Sequence, residues 1–189
     1  MASTRTSIIN KALAHLGERP ITSLTEGTAA SDIADAVFDE LAREAMYEHP
    51  WTFIRRRAVL APTGTTPPFE WSHEFELPER FLRFIKTYPE FPNTYPYAVE
   101  GGYMYTNTDA PQMEYIVEET DISKYPPGFV ACLALLIAVH IAPRVKDSER
   151  STNELYAMYK DRLVTMRSLD SQQGTPDPVQ QDEWLDERY

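Results

Sequence analysis

The chain has 189 residues, 42% of them apolar and 25% charged, a composition that excludes wholesale disorder and suits one folded domain, with room for an inserted part. Twenty-nine Asp and Glu against 18 Lys and Arg leave a formal charge of -11, which excludes a basic DNA-binding domain, because affinity for a phosphate backbone comes mainly from Lys and Arg releasing counterions. One cysteine, Cys132, allows no internal disulfide, and its spacing from the four histidines matches no structural zinc site. In chain order, residues 4–16 place Ile8, Ile9, Ala12, Leu13 and Leu16 at the spacing of one helical face, with Gly17 as the expected C-terminal cap and Pro20 blocking continuation. A second helix is predicted over 29–47, with Ala30, Ile33, Val37, Leu41 and Ala45 on one stripe and Ala34, Phe38 and Met46 beside it. Thr28 is its expected N-cap, and Pro50 stops it.

Between residues 51 and 119 the pattern changes to short aromatic and β-branched runs separated by Pro, Gly, Asn and Thr, which predicts strands near 51–60, 72–77, 82–87, 97–100, 103–106 and 112–118. Gly101-Gly102 sits at the centre of a hairpin over 98–105, since two glycines supply the positive φ of a two-residue primed turn. Pro126-Pro127 opens a third helix to residue 142 that is apolar on every side and closed by Pro143. Its most apolar run, 129–142, is about 14 residues, short of the roughly 20 that span a bilayer, so a buried helix and no membrane partner are expected. A fourth helix follows, capped by Asp147 or Ser148 and reaching residue 169, with Thr152, Leu155, Tyr156, Tyr159, Leu163 and Met166 inward. The remainder is polar, carries prolines and has no period, which predicts an extended tail. The N-terminus lacks the apolar core of an export signal, and none is expected. The fold class is thus α+β: an antiparallel bundle of about four helices with an inserted β-rich subdomain and an extended C-terminal tail. The corresponding divisions are residues 1–50, 51–119, 120–170 and 171–189.

Phosphate-binding, dinucleotide-binding, nucleophile-elbow and zinc-protease motifs are all missing, so no catalytic residue, cofactor or metal is assigned. His140, near the end of the apolar helix, reads as a hydrogen-bonded core histidine, and His15 and His73 as surface or partly packed residues. Glu114, Glu118, Glu119 and Asp121 could in principle pair for glycoside hydrolysis. An extended strand, however, sets Glu114 and Glu118 about 13 Å apart, and a solvated strand face is the simpler reading. Arg55-Arg56-Arg57 is the one dense basic run, with Arg55 and Arg57 sent to one side of a strand and Arg56 to the other. A solvated or salt-bridged face is its default and a partner contact its alternative. In the tail, Trp184 and Leu185 are large apolar groups in a polar setting, suited to anchor an extended peptide on a partner, with Arg188 and Tyr189 beside them.

The order of several segments resembles tail tubular protein A, the head-to-tail adaptor family of short-tailed bacteriophages. They are Ile8-Ile9-Asn10-Lys11-Ala12-Leu13-Ala14-His15-Leu16-Gly17-Glu18 with Ile21-Thr22-Ser23-Leu24, then His49-Pro50-Trp51-Thr52-Phe53 and the arginines after it, then Phe75-Glu76-Leu77-Pro78-Glu79-Arg80-Phe81-Leu82-Arg83. The helix ending Ile141-Ala142-Pro143, the tyrosine-bearing helix after it and the tail with Trp184 also fit, so the similarity runs along nearly the whole chain. The resemblance implies a non-enzymatic structural virion protein, located in the virion tail and in the host cytoplasm during assembly. It implies a ring, typically of twelve copies, between the portal protein and the tail nozzle or tubular protein, with genomic DNA passing through unbound. It also implies a C-terminal segment that reaches the portal, and no cofactor. Two alternatives stand beside it: a tail-associated polysaccharide hydrolase, and a monomeric protein-interaction module without a channel role. A helix apolar all round would be easier to bury if a neighbouring subunit covered part of it, which favours the ring.

Overall fold

The computed structural model describes residues 3–174 except 27–28, 89–94 and 146–148. It is a mixed α/β structure of four helices and two small antiparallel sheets. The helices are α1 (Arg5–Leu16), α2 (Ala29–Glu48), α3 (Pro127–Val145) and α4 (Glu149–Ser171). The strands are β1 (Arg55–Val59), β2 (His73–Glu76), β3 (Phe81–Tyr88), β4 (Tyr97–Glu100), β5 (Tyr103–Thr106) and β6 (Gln112–Val117), all lying between α2 and α3 in sequence. Among the described residues, each helix and strand has a counterpart in the sequence reading, displaced at its ends by a few residues.

Local chemistry explains the boundaries. Thr4 caps α1, its hydroxyl accepting from the Ser7 amide while the Ser7 side chain accepts from the Thr4 amide, which satisfies two otherwise orphaned donors. Gly17 closes α1 in the left-handed conformation at φ 74°. Arg5 then ties α1 to α2 through Asp35 at 2.5 Å and Asp39 at 2.8 Å. The expected caps Thr28 and Asp147 or Ser148 lie outside the described residues.

Helix α3 occupies the middle, packed against α1, α2 and α4. Phe129, Val130, Cys132, Leu133, Ala134, Leu135, Leu136, Ile137, Ala138, Ile141 and Ala142 are all buried. The span Pro127–Arg144 is long and apolar enough to cross a membrane by length and composition, more than the 14 residues counted above, and most of it is buried inside the protein. The other helices of the same chain therefore cover most of this helix. Two further expectations are corrected here. Pro143 does not end α3 but sits inside its last turn, where the missing N–H forfeits only one hydrogen bond, to the carbonyl four residues back. His140 is exposed rather than a core histidine, because the neighbouring helices cover the rest of the circumference and leave its direction open.

The inner face of α2 is centred on Ala34, Phe38, Leu41, Ala45 and Met46, with Ala30, Ile33 and Val37 only half-buried at its margin. On α4, Leu155, Tyr159 and Leu163 are buried, whereas Tyr156, expected inward, is exposed. The Tyr159 hydroxyl reaches across to donate to the Glu48 carboxylate at the end of α2.

The first sheet has the order β1-β6-β3 and the second β2-β5-β4. Strand β6 joins two cores by period-2 alternation. Ile116 belongs to the helical core, while Met113 and Tyr115 pack with Leu60, Phe75 and Met104 in a smaller core against the second sheet. The hairpin β4–β5 turns at Gly101 and Gly102, with φ 59° and 90°, and pairs Glu100 with Tyr103, the geometry of a primed two-residue turn.

Candidate functional site

The segment His49-Pro50-Trp51-Thr52-Phe53 is where three helices and the first sheet are tied together. Pro50 ends α2, and the chain folds back so that the Trp51 indole N–H donates to the Ala45 carbonyl at 2.9 Å, satisfying one of the last acceptors of α2. The Trp51 ring is buried edge-on to Phe129 of α3, with centroids 5.5 Å apart, and Phe53 lies 5.1 Å from the same ring. On its other side, His49 meets Trp51 edge-to-face at 4.9 Å.

The polar side chains of this segment converge on Asp170, in the last turn of α4. Asp170 accepts from the Thr52 amide at 3.0 Å and from the Thr52 hydroxyl at 2.8 Å, and lies 3.1 Å from His49 Nε2. The carboxylate is only 6% exposed, so these partners replace its lost water. Burial pushes the His49 pKa below its ordinary value, with Arg167 and Arg83 adding to the effect and Asp170 opposing it. The sequence reading missed Asp170. The signal was its spacing: it continues the inner stripe of Leu155, Tyr159, Leu163 and Met166, and a carboxylate on an apolar stripe requires buried partners.

Strand β1 then carries Arg55, Arg56 and Arg57 alongside. Alternation sends Arg55 and Arg57 to the face that holds Glu114 of β6, at 2.7 and 3.7 Å, while Arg56 donates to the Phe53 and Arg55 carbonyls and lies 4.0 Å from Glu119. The Tyr88 hydroxyl donates to Glu114 at 2.7 Å. Glu114 is 3% exposed, so the expected solvated strand face is corrected. Strand β6 is the central strand of its sheet, and residues 113–116 are covered on both faces. Glu119 is buried too, accepting from the Asp121 amide and from Lys124. Although burial opposes its ionisation, these donors outweigh it and lower the Glu119 pKa. Glu118 is half-buried and Asp121 exposed.

His49, Thr52, the three arginines, Glu114 and, at and just beyond the end of α4, Asp170, Ser171, Gln173 and Gly174 line one cleft of about 640 Å³. Its acids are sunk and its bases stand out. Arg55, Arg56 and Arg57 are 39, 44 and 75% exposed, against 3% for Glu114 and 6% for Asp170. What the cleft presents to solvent is therefore cationic, in a chain of net charge -11.

No protein-family model and no curated protein matches the chain.

Elsewhere, His73 lies 2.9 Å from Asp109, and His15 is exposed. Among the described residues no three His, Cys, Asp or Glu are grouped to hold a metal ion. Trp184, Leu185, Arg188 and Tyr189 lie outside the described residues, as does all of the tail after Gly174. The first residue of the expected tail, Ser171, is the last of α4, and the Gln173 side chain beyond it lies 3.2 Å from the Thr52 hydroxyl.

Proposed function

We propose that the protein is a structural virion component, a head-to-tail adaptor that forms a ring of twelve copies between a portal protein and a tail nozzle. In this reading the antiparallel helical bundle carries the inserted sheets, and the extended C-terminal tail docks on the portal through Trp184, Leu185, Arg188 and Tyr189. The ordered resemblance along the chain supports it. The observation that carries an interaction role is the cleft beside Asp170: both carboxylates are engaged by fixed partners, and three guanidinium groups face outward, an arrangement suited to gripping an acidic surface. An acidic ring wall would repel DNA phosphates and let the duplex slide.

Imaging the protein mixed with portal rings tests this. A twelvefold ring seated under the portal is expected, and a protein that stays monomeric with portal present overturns the reading. A lumen lined mainly by Lys and Arg would remove the sliding mechanism alone. Cleavage of a host-surface polysaccharide by the purified protein would replace the adaptor with the hydrolase.

A second reading, a monomeric interaction module, is favoured by one observation: α3 is covered within a single chain. Native mass spectrometry with and without portal separates the two.

A further inference from the structure

We infer that the arginine cleft is a docking site for an acidic peptide and that its occupant is the chain's own C-terminal segment, residues 177–187. This inference does not rest on the adaptor reading, and it concerns the protein alone.

Three observations converge. The first is charge. The segment carries Asp177, Asp182, Glu183, Asp186 and Glu187, with Arg188 the one base after Gly174, while the cleft exposes Arg55, Arg56 and Arg57 above sunken acids. Guanidinium groups offer forked donors that match carboxylates; Arg57 is 75% exposed and 3.7 Å from its carboxylate, and Arg56, whose Nη1 donates to the Phe53 and Arg55 carbonyls, has its Nη2 4.0 Å from Glu119.

The second is the point of departure. Ser171, Gln173 and Gly174 line the same cleft, so the segment begins inside the site it would fill. Seven residues separate Gly174 from Asp182, and closing a loop of that size gives an effective local concentration in about the millimolar range. Ion pairs that are weak singly suffice at such concentrations.

The third is a sheet edge left unpaired by the described strands. Strand β1 is an outer strand of its sheet, paired on one side with β6. Its exposed residues are the three arginines and Val59, which is 65% exposed. An extended peptide can lie along such an edge with alternate side chains inward. The segment supplies carboxylates for the arginines and Trp184 and Leu185 for apolar surface. Positive charge on an edge strand also discourages pairing with anything that is not acidic.

Backbone relaxation of the intact, isotopically labelled chain tests the proposal. At low salt, order parameters over 182–187 are expected near the rigid value of about 0.85 rather than below about 0.6. Raising the salt to about 1 M, where the Debye length shrinks to roughly 3 Å, is expected to drop them into the flexible range. The double variant Arg56→Gln with Arg57→Gln is expected to do the same without salt. So is a tail variant carrying Asp182→Asn, Glu183→Gln, Asp186→Asn and Glu187→Gln, which alters nothing within residues 3–174 and so keeps the test valid if the arginine variant misfolds. Low order parameters in the unmodified chain at low salt overturn the proposal. High values that neither salt nor the tail variant lowers overturn it as well, since the arginines would not be the cause. Values that fall on dilution show capture by a second copy and overturn the assignment to the same chain.

Discussion

The Glu114 carboxylate, 3% exposed, lies 2.7 Å from Arg55 Nε across two antiparallel strands, with Arg57 and Tyr88 on its other oxygen. The two ends of this pair are unequal, because Arg55 is 39% exposed and can return to water while Glu114 cannot. Removing the arginine strands a buried charge, whereas neutralising the acid releases a solvated one. Arg55→Ala is therefore expected to lower unfolding free energy by about 1–3 kcal/mol, and Glu114→Gln by less. Urea denaturation of both variants checks this, and an equal or reversed order would show that the Glu114 site admits water.

His49 makes stability depend on pH. Its pKa in the folded protein is lowered from 6.5, chiefly by burial, so between the folded value and 6.5 the unfolded chain binds a proton that the folded one does not. The stability held by neutral His49 is present above pH 6.5 and lost as pH falls through that window. His15 is shifted in the same direction. His49→Gln is thus expected to reduce, without abolishing, the loss of stability as the pH falls below 6.5. Denaturation curves at matched ionic strength across that range measure it. An unchanged slope would assign the effect to other groups.

Much of this architecture was legible in the sequence, and the failures have a common cause. Gly17, Pro50 and Gly101-Gly102 act locally through φ and hydrogen-bond stoichiometry, and each terminates or turns an element as its chemistry requires. Glu114, His140 and Tyr156 were misplaced because their burial depends on which strand is central and which helix faces are taken, facts that no window of neighbouring residues contains. The site was half readable. Alternation separated Arg56 from Arg55 and Arg57, but their partners Glu114 and Glu119 lie about sixty residues onward and are chosen by register. Asp170 escaped notice because a residue next to a polar tail reads as solvated until its place on the helical stripe is counted.

Cys132 offers an internal reporter. It is buried among helices, and burial pushes its thiol up to about 11. At pH 8 it is expected to react with a disulfide reagent far more slowly than the same thiol in urea, since both access and thiolate are lacking. Fast reaction in the native protein would reveal opening of α3.

The β4–β5 turn isolates a backbone effect. A side chain at Gly102 would meet no atom within 4 Å, yet the residue holds φ 90°. Gly102→Ala is expected to cost about 1–2 kcal/mol through conformation alone. Chemical denaturation measures the cost, and a neutral result would mean that the turn relaxes to another type.

Asp170 also determines where mechanical load goes. It stands four residues before Gly174, and it is clamped to Thr52 and His49, more than a hundred residues earlier in the chain. A pull on the C-terminal segment is therefore delivered to the junction of α2 and β1 as well as to α4. Loosening the tail's root by force requires breaking several hydrogen bonds together, where an unclamped helix end would fray one turn at a time.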